Sequence, residues 1–466
     1  MEYINEKLIE LNNFLQKSRV AIIGLGVSNI PLLEYMHNLK ANVTVFDDRE
    51  IDKIPKEVLD KVTDYHFDFS YGKDSLSKLN GFNIIFRAPS CMPTREELKR
   101  EADRGAIVTT EIEMVIKIFP GKVIGITGSD GKTTTTTLVY EILKNNGYNC
   151  YLGGNIGIPL FTKLNEMKPE DIVVLELSSF QLMGMEVSPD ISVITNITPN
   201  HLNVHSSYEE YIDAKKNIFK YQDKDGIVVL NNDNEITKAC KVEAEGKVIL
   251  FSSKEKLEDG VILDNDVIKI CQDKLRRHIL NTNDVILRGK HNYENACAAI
   301  AATSSLVEPE QAAKVIKEFK GVEHRLELVR SLNGVKWYND SIGSSPTRTI
   351  AGLNSFDERI TLIAGGYDKN LDYTPLAKPI LQSVDNLVLI GQTAGKIFDA
   401  VKEESEKQNK NINICMCETL EDAVLTAKRV TKSGDIVLLS PASASFDMFK
   451  DFADRGNIFK ELVNNL

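Results

Sequence analysis

Residues 123–137, from Val123 to Thr137, read VIGITGSDGKTTTTT, and this stretch decides the fold. β-Favouring residues in Val123–Ile126 run into a polar turn bracketed by Gly128 and Gly131. Lys132 and Thr133 then open a helical run through Leu138, Val139, Ile142 and Leu143. Strand, glycine loop and helix in that order aim successive backbone N–H groups at one point, with a helix N-terminus behind them. Gly128, Ser129, Asp130, Gly131, Lys132, Thr133 and Thr134 are therefore the candidate phosphate-binding residues. Lys132 supplies a mobile cation and Thr133 a hydroxyl for magnesium. The strict phosphate-loop spacing needs glycine at 126, where Ile126 stands. The plainer alternative is a glycine turn and a solvated lysine ahead of an ordinary helix.

Upstream, Val20–Gly24 reads as a buried strand that meets Gly24-Leu25-Gly26-Val27-Ser28-Asn29. A helix follows through Ile30, Leu32, Leu33 and Met36, then a strand over Asn42–Phe46 that ends at Asp47-Asp48-Arg49. This βαβ unit predicts a parallel sheet. Two of the three glycines of a dinucleotide fingerprint are present, with Asn29 in the third place. A nucleotide site and a bare α/β scaffold with tight turns both fit. Further strands are predicted at Asn83–Arg87 and Ile107–Thr109.

Downstream, Tyr151–Gly157 reads as a loop after a strand. The apolar strands Ile172–Leu175 and Ile191–Thr195 end in Glu176-Leu177-Ser178-Ser179-Phe180-Gln181 and Asn196-Ile197-Thr198-Pro199-Asn200-His201. Ligand groups gather at such carboxyl ends in doubly wound sheets. A helix over Tyr208–Tyr221 carries Lys215. Short strands in 247–290 predict a small antiparallel annex. Gly289–Asn295 then precedes helices from Ala296 to Leu306 and from Glu308 to Phe319. A second doubly wound sheet is predicted from strands Leu326–Arg330, Val335–Tyr338, Ile360–Ala364, Asn386–Ile390, Ile412–Met416 and Ile436–Leu439. The predicted architecture is thus α/β in three domains: 1–110, 111–321 and 322–466.

With 42% hydrophobic and 26% charged residues over 466 positions, the composition is that of a globular chain. A net charge of −11 without a block of like charge argues against nucleic-acid binding and an anionic membrane surface. Seven unpatterned cysteines point to a reducing compartment. The N-terminal amphipathic stretch lacks a signal-peptide core and no stretch has transmembrane length, so the expectation is a cytoplasmic protein without membrane insertion. His201 and His205 have zinc-ligand spacing, but no H-E-x-x-H motif accompanies them.

The runs TGSDGKTT, GGNIG, ELSSFQL, NITPNHLNVH, YIDAKKNIF, GKHNYENA and EHRLE, in that order along nearly the whole chain, resemble the Mur ligase family. NDSIGSSP at 339–346, GGYDKN at 365–370 and SPASASFDMFKDFADRG at 440–456 are similar to its D-glutamate-adding branch. The resemblance implies a Rossmann-like first domain, a central ATPase-like domain and a Rossmann-like third domain. It also implies ATP-dependent joining of D-glutamate to UDP-N-acetylmuramoyl-L-alanine through an acyl phosphate, by a monomer that uses magnesium. Carried over by position, Lys132 and Thr133 bind ATP phosphates and Glu176, His201 and Thr133 hold metal, with Lys215 as the carbamylated lysine. Val27, Ser28, Asp47, Asp48 and Arg49 would hold the UDP portion, and Asn155, Ser178 and Gln181 the muramyl portion. Asn292 or Asn295 would lie near adenine, with Arg325 and Asp340 closing over ATP. Lys369, Ser445, Phe446 and Phe452 would receive D-glutamate. Without the family, Lys215 reads as a surface lysine and Phe452 as core. The chain departs from the family at Asn203, at Ile342-Gly343-Ser344 and at Ala88-Pro89-Ser90.

The rivals are an L-alanine-adding member or a polyglutamate synthase, a nucleotide-dependent regulator, and an NAD-dependent dehydrogenase. A polyglutamate synthase would lack the N-terminal region, and a regulator would not need a third α/β region.

Overall fold

The computed structural model describes residues 3–26, 28–199, 205–273, 275–287, 289–369 and 371–466. The chain forms two compact units: Met1–Val285 with Lys290–Lys317, and Ile286–Gly289 with Glu318–Leu466.

The first unit carries two sheets. The N-terminal helix Glu6–Lys17 starts where the Asn5 side chain accepts the Leu8 N–H, and it buries Leu8, Leu11 and Leu15 on one stripe. The first sheet, in order Asp68–Tyr71, Asn42–Asp47, Arg19–Ile23, Ile84–Arg87, Ile107–Thr109, is parallel throughout. Val20, Ile22, Val45, Ile84 and Ile85 are fully buried, as strands covered on both faces require. Strand Asp68–Tyr71 has no counterpart among the predicted ones, because its DFSY is short and only partly buried.

The second sheet has nine strands. Four neighbours, Ile191–Ile194, Lys122–Thr127, Ile172–Glu176 and Cys150–Gly154, run parallel and bring their carboxyl ends to one edge. On the other side Ile227–Asn231, Lys247–Ser252 and Gly260–Asp264 continue in parallel. Val267–Gln272 and Leu275–Asn281 then add antiparallel pairs. The annex is therefore an extension of the main sheet, since pairing partners are not written in strand composition. Tyr151–Gly154 belongs to a strand rather than a loop. The helix after Gly289 starts at Lys290, ahead of the predicted Ala296, and puts Asn292 and Asn295 on its first turns. Both asparagines are buried, so tertiary packing outweighs their loop preference. One apolar core runs through both sheets, from Leu8, Ile22 and Val115 to Phe161, Val173 and Leu230.

The second unit holds a six-stranded sheet in the order Glu327–Leu332, Val335–Asn339, Ile436–Leu439, Ile360–Gly365, Val384–Ile390, Asn413–Met416. The first pair is antiparallel and the others parallel. Helices cover both faces. One core gathers Leu362, Leu376, Ile380 and Ile397, and the other Trp337, Ile363, Val424 and Phe459.

Candidate functional site

The loop Gly128–Gly131 depends on both glycines. Gly128 has φ +153°, and a Cβ there would lie 1.9 Å from Thr195 Oγ1. Gly131 has φ +80°, and a Cβ would lie 2.3 Å from Asn295 Oδ1. The loop is pinned from the neighbouring strand end. Ser129 N donates to Asn196 O (2.9 Å) and Asp130 N to Asn196 Oδ1 (3.0 Å). Ser129 Oγ lies 2.9 Å from both Thr198 O and Tyr211 Oη. Two N–H groups of the turn are thus engaged by Asn196, and Gly131 leads directly into helix Lys132–Asn145. Thr135 Oγ1 meets Asn295 Oδ1 at 3.3 Å, joining that helix to Lys290–Thr303.

Two lysines converge on this loop. Lys132 Nζ donates to Gly128 O and Ser129 O, both at 2.9 Å. Lys215, 1% exposed on helix Tyr208–Lys220, donates to Gly128 O at 2.8 Å and Thr127 Oγ1 at 3.3 Å, and its Nζ lies 4.8 Å above the Tyr211 ring. It is not a surface lysine. Burial, then the like charge of Lys132, pushes its ammonium well below the usual lysine range, against Asp130 and Glu176. Glu176 is 1% exposed; its Oε1 accepts Asn155 Nδ2 at 2.8 Å, and its Oε2 is buried with no hydrogen-bond partner among the described residues. A buried carboxylate oxygen left so is costly unless a cation meets it. An oxygen-rich donor set of Glu176 and Thr133 fits magnesium. His201 and Val27 lie outside the described residues. His205 does not face a second histidine among the described residues. Its Nε2 meets Ser179 Oγ at 2.9 Å and its ring stacks on Phe180, and burial lowers its pKa despite nearby Glu210. No cluster of three His, Cys, Asp or Glu suited to a metal occurs among the described residues.

The loops after Gly154 and Glu176 carry the other candidates. Asn155, exposed, donates from its backbone to Glu176 O at 2.8 Å and from its side chain to the Glu176 carboxylate. Ser178 and Gln181 form a reciprocal cap on the short helix Ser179–Leu182, so they shape that turn first of all. Three buried charged residues outside the predicted site brace these loops. Glu111 Oε1 accepts the N–H groups of Leu160 (3.1 Å) and Phe161 (2.8 Å), and burial pushes its carboxyl up to about 7. Glu113 Oε1 accepts Glu186 N at 3.2 Å and Lys117 Nζ at 2.8 Å. Arg87 donates to Cys91 O, Phe180 O and Met183 O. Nothing local in the sequence marks them, because a lone charged residue reads as solvated until its neighbours are known.

In the first sheet, Asp47 accepts Leu25 N at 2.8 Å and pairs bidentately with Arg49, which also donates to Leu25 O. Burial raises the Asp47 pKa, but the Arg49 bonds and the Leu25 N–H outweigh it and hold the carboxyl below its usual value. Asp47 and Arg49 thus build the glycine loop, while Asp48 is exposed. Asn29 Nδ2 donates to Ile23 O and Gly24 O, both at 2.9 Å, which is what the residue in place of the third glycine does here. Ser28 precedes helix Asn29–Leu39 without a side-chain cap.

In the second unit, Asp340 Oδ2 accepts Ser440 Oγ at 2.6 Å and Oδ1 accepts Leu326 N at 3.3 Å, next to Arg325 in sequence. Burial pushes the Asp340 carboxyl up to about 6, against the Ser440 bond and Arg325. The folded chain therefore holds this proton more tightly than the unfolded chain. The stabilisation is complete below the ordinary value of 3.8 and is lost as pH rises through 6, about 3 kcal/mol in all. Asp340→Asn is expected to flatten the fall in denaturant midpoint across that window, which unfolding titrations at several pH values check. Lys369 Nζ lies 5.5 Å above the Phe446 ring, and Tyr367 meets the same ring edge-on. Phe446 and Phe452 are 59% and 41% exposed, so neither is core, whereas Ser445 is buried. Arg455, fully buried and unforeseen, donates to Ser341 Oγ and O and to Ser443 O and Ala444 O. It ties the 339–346 and 440–445 segments together, and burial draws its pKa down to about 10.

The chain matches the Mur ligase middle domain over residues 126–303 and the Mur ligase glutamate ligase domain over 324–443. It is 48% identical over 465 residues to the UDP-N-acetylmuramoylalanine–D-glutamate ligase of Acetivibrio thermocellus, covering 99% of this chain and 100% of that one. The ligases of the same name from Ruminiclostridium cellulolyticum and Clostridium tetani are each 46% identical, covering 99% of this chain and 100% of theirs. Among solved structures, the UDP-N-acetylmuramate-alanine ligase of Thermotoga maritima aligns with a TM-score of 0.57 at 19% identity, over 96% of this chain and 99% of that one. MurF from Acinetobacter baumannii aligns at 0.58 and 16% identity, over 91% of each chain. These last two speak for the fold.

Proposed function

Because the chain belongs to the Mur ligase family, we propose that it joins D-glutamate to UDP-N-acetylmuramoyl-L-alanine at the expense of ATP, in peptidoglycan precursor synthesis. The observation that carries this reading is the convergence of Lys132 and Lys215 on a glycine loop, beside a strand that ends in Glu176, whose buried Oε2 has no hydrogen-bond partner among the described residues. In the reaction, a carboxylate oxygen of the L-alanyl group attacks the γ-phosphorus of ATP, and ADP leaves. The amine of D-glutamate then attacks the acyl carbon, an amide forms, and phosphate departs with the carboxylate oxygen.

The first step brings two anions together, so neutralising charge is the protein's main task. Lys132 exchanges its contacts with the Gly128 and Ser129 carbonyls for phosphate oxygens, and the helix N-terminus at Lys132 adds backbone N–H groups. Glu176, Thr133, His201 and Lys215 would hold magnesium, which when bound spreads the phosphoryl and carboxylate charge. The depressed Lys215 ammonium supports its carriage of a carbamate, since a neutral amine reacts with carbon dioxide and the resulting anion suits a cation. The exposed amide of Asn155, with Ser178 and Gln181 behind it, is assigned to the muramyl portion. The Gly24–Arg49 loop region, with Val27, Ser28, Asp47, Asp48 and Arg49, is assigned to UDP. Asn292 or Asn295 serves adenine, Arg325 and Asp340 serve ATP, and Lys369, Ser445, Phe446 and Phe452 serve D-glutamate. Lys369, held above Phe446, pairs a glutamate carboxylate.

We assign the two sheets of the first unit to separate domains, 1–110 and 111–321, with the third at 322–466. The enzyme is read as a cytoplasmic monomer; among the described residues no helix is long and apolar enough to cross a membrane. The deciding assay is phosphate release. It is expected only when ATP, UDP-N-acetylmuramoyl-L-alanine and D-glutamate are all present. Release with L-alanine and UDP-N-acetylmuramate instead would move the assignment to another family member, and full-rate release with ATP alone would favour a regulator.

A further inference from the structure

Loop 155–161 is tied down at both ends. At its start, Asn155 is bound through backbone and side chain to Glu176. At its end, Leu160 and Phe161 are buried and offer two consecutive N–H groups that have no strand to join. One oxygen of Glu111 accepts both. Glu111 is itself 6% exposed, and it opens helix Glu111–Ile118 directly after strand Ile107–Thr109 of the first sheet. A carboxyl buried among apolar groups is an expensive way to terminate a loop, because an apolar packing residue and a shorter turn would serve stability better. Its return is geometric: hydrogen bonds fix a loop more narrowly than packing does. Between the two ends, Gly157 takes φ +77° and one long bond, Ile158 N to Leu152 O at 3.3 Å, is a third tie; the span from Asn155 to Phe161 is short enough for a shift at one end to strain the other.

We propose that Glu111 is a positioning residue for the ligase reaction, holding loop 155–161 so that Asn155 presents its amide to the muramyl substrate while it steadies Glu176. This rests on the assignment of Asn155 to that substrate. Residues that orient a directly contacting group typically matter about 10- to 100-fold when removed. The conservative variant separates positioning from bulk: glutamine keeps an accepting oxygen at the same reach, and alanine does not.

The test uses the full-length enzyme with Glu111→Ala, Glu111→Gln and Asn155→Ala. Glu111→Ala is expected to raise KM for UDP-N-acetylmuramoyl-L-alanine about 10-fold, to leave KM for D-glutamate within about twofold, and to speed amide hydrogen exchange at Asn155, Leu160 and Phe161. Glu111→Gln should return that KM to within about threefold of the parent. If Asn155→Ala raises the same KM but Glu111→Ala does not, the inference is overturned and the Asn155 assignment stands. If Asn155→Ala itself leaves KM unchanged, the assignment fails and takes the inference with it. Should Glu111→Ala not fold, Glu111→Asp, which withdraws the carboxylate by one methylene, takes its place with the same expected split and the same overturning result.

Discussion

Lys215→Ala is expected to cut turnover by at least about 100-fold, with part of the activity returning when a short carboxylic acid is supplied. The expectation follows from where the amine sits. It is buried, it shares the Gly128 carbonyl with Lys132, and both burial and its neighbour disfavour its charge. A neutral amine adds to carbon dioxide, forming an N–C bond and releasing a proton, and the side chain changes from cation to anion. Alanine removes the amine and leaves room along its former path, where a small acid can supply the missing oxygens. Lys215→Arg, always charged, should be as poor as alanine and should not respond to the acid. Phosphate release at saturating substrates, with and without added bicarbonate, reads all three. An alanine variant at parental rate would remove the carbamate assignment.

Lys132→Ala is expected to cost about 10³-fold in turnover, the upper end of what losing one charge-stabilising donor does in a closed site. Its ammonium is already within reach of the turn, resting on the carbonyls of Gly128 and Ser129, so no large motion separates this position from a bound phosphate. Arginine should not replace it, because a planar fork does not substitute for a compact cation in a turn this narrow. Steady-state phosphate release and calorimetric ATP titration check the effect; retention of a tenth of the activity or more would count against it. Lys132 also helps to hold the Lys215 ammonium down, so the two alanine changes should combine less than additively.

The strand, glycine loop and helix over 123–145 were legible because their signal is local: a buried strand, two glycines that no other residue can replace, and a helix. Ile126, which breaks the strict pattern, is buried in the strand, where side-chain packing decides the residue type. The parallel sheets were legible from apolar runs separated by helical stretches. The continuity of the nine-stranded sheet was not, since pairing between distant strands leaves no mark on either. Asp47 shows the same limit inside the site. Its place at a strand end is readable, but its engagement by Leu25 and Arg49 is a tertiary fact. Glu111, Arg87 and Arg455 went unread for the complementary reason. Each looks like an ordinary surface charge in sequence, and only the fold reveals the carbonyls and N–H groups that accept it into the interior.

Gly128 leaves a single carbonyl oxygen facing two lysine amines. Its lone pairs are filled once both have arrived, so neither lysine moves without altering what the other meets. One peptide unit therefore couples the two side chains, and a change at either lysine is expected to be felt at the other.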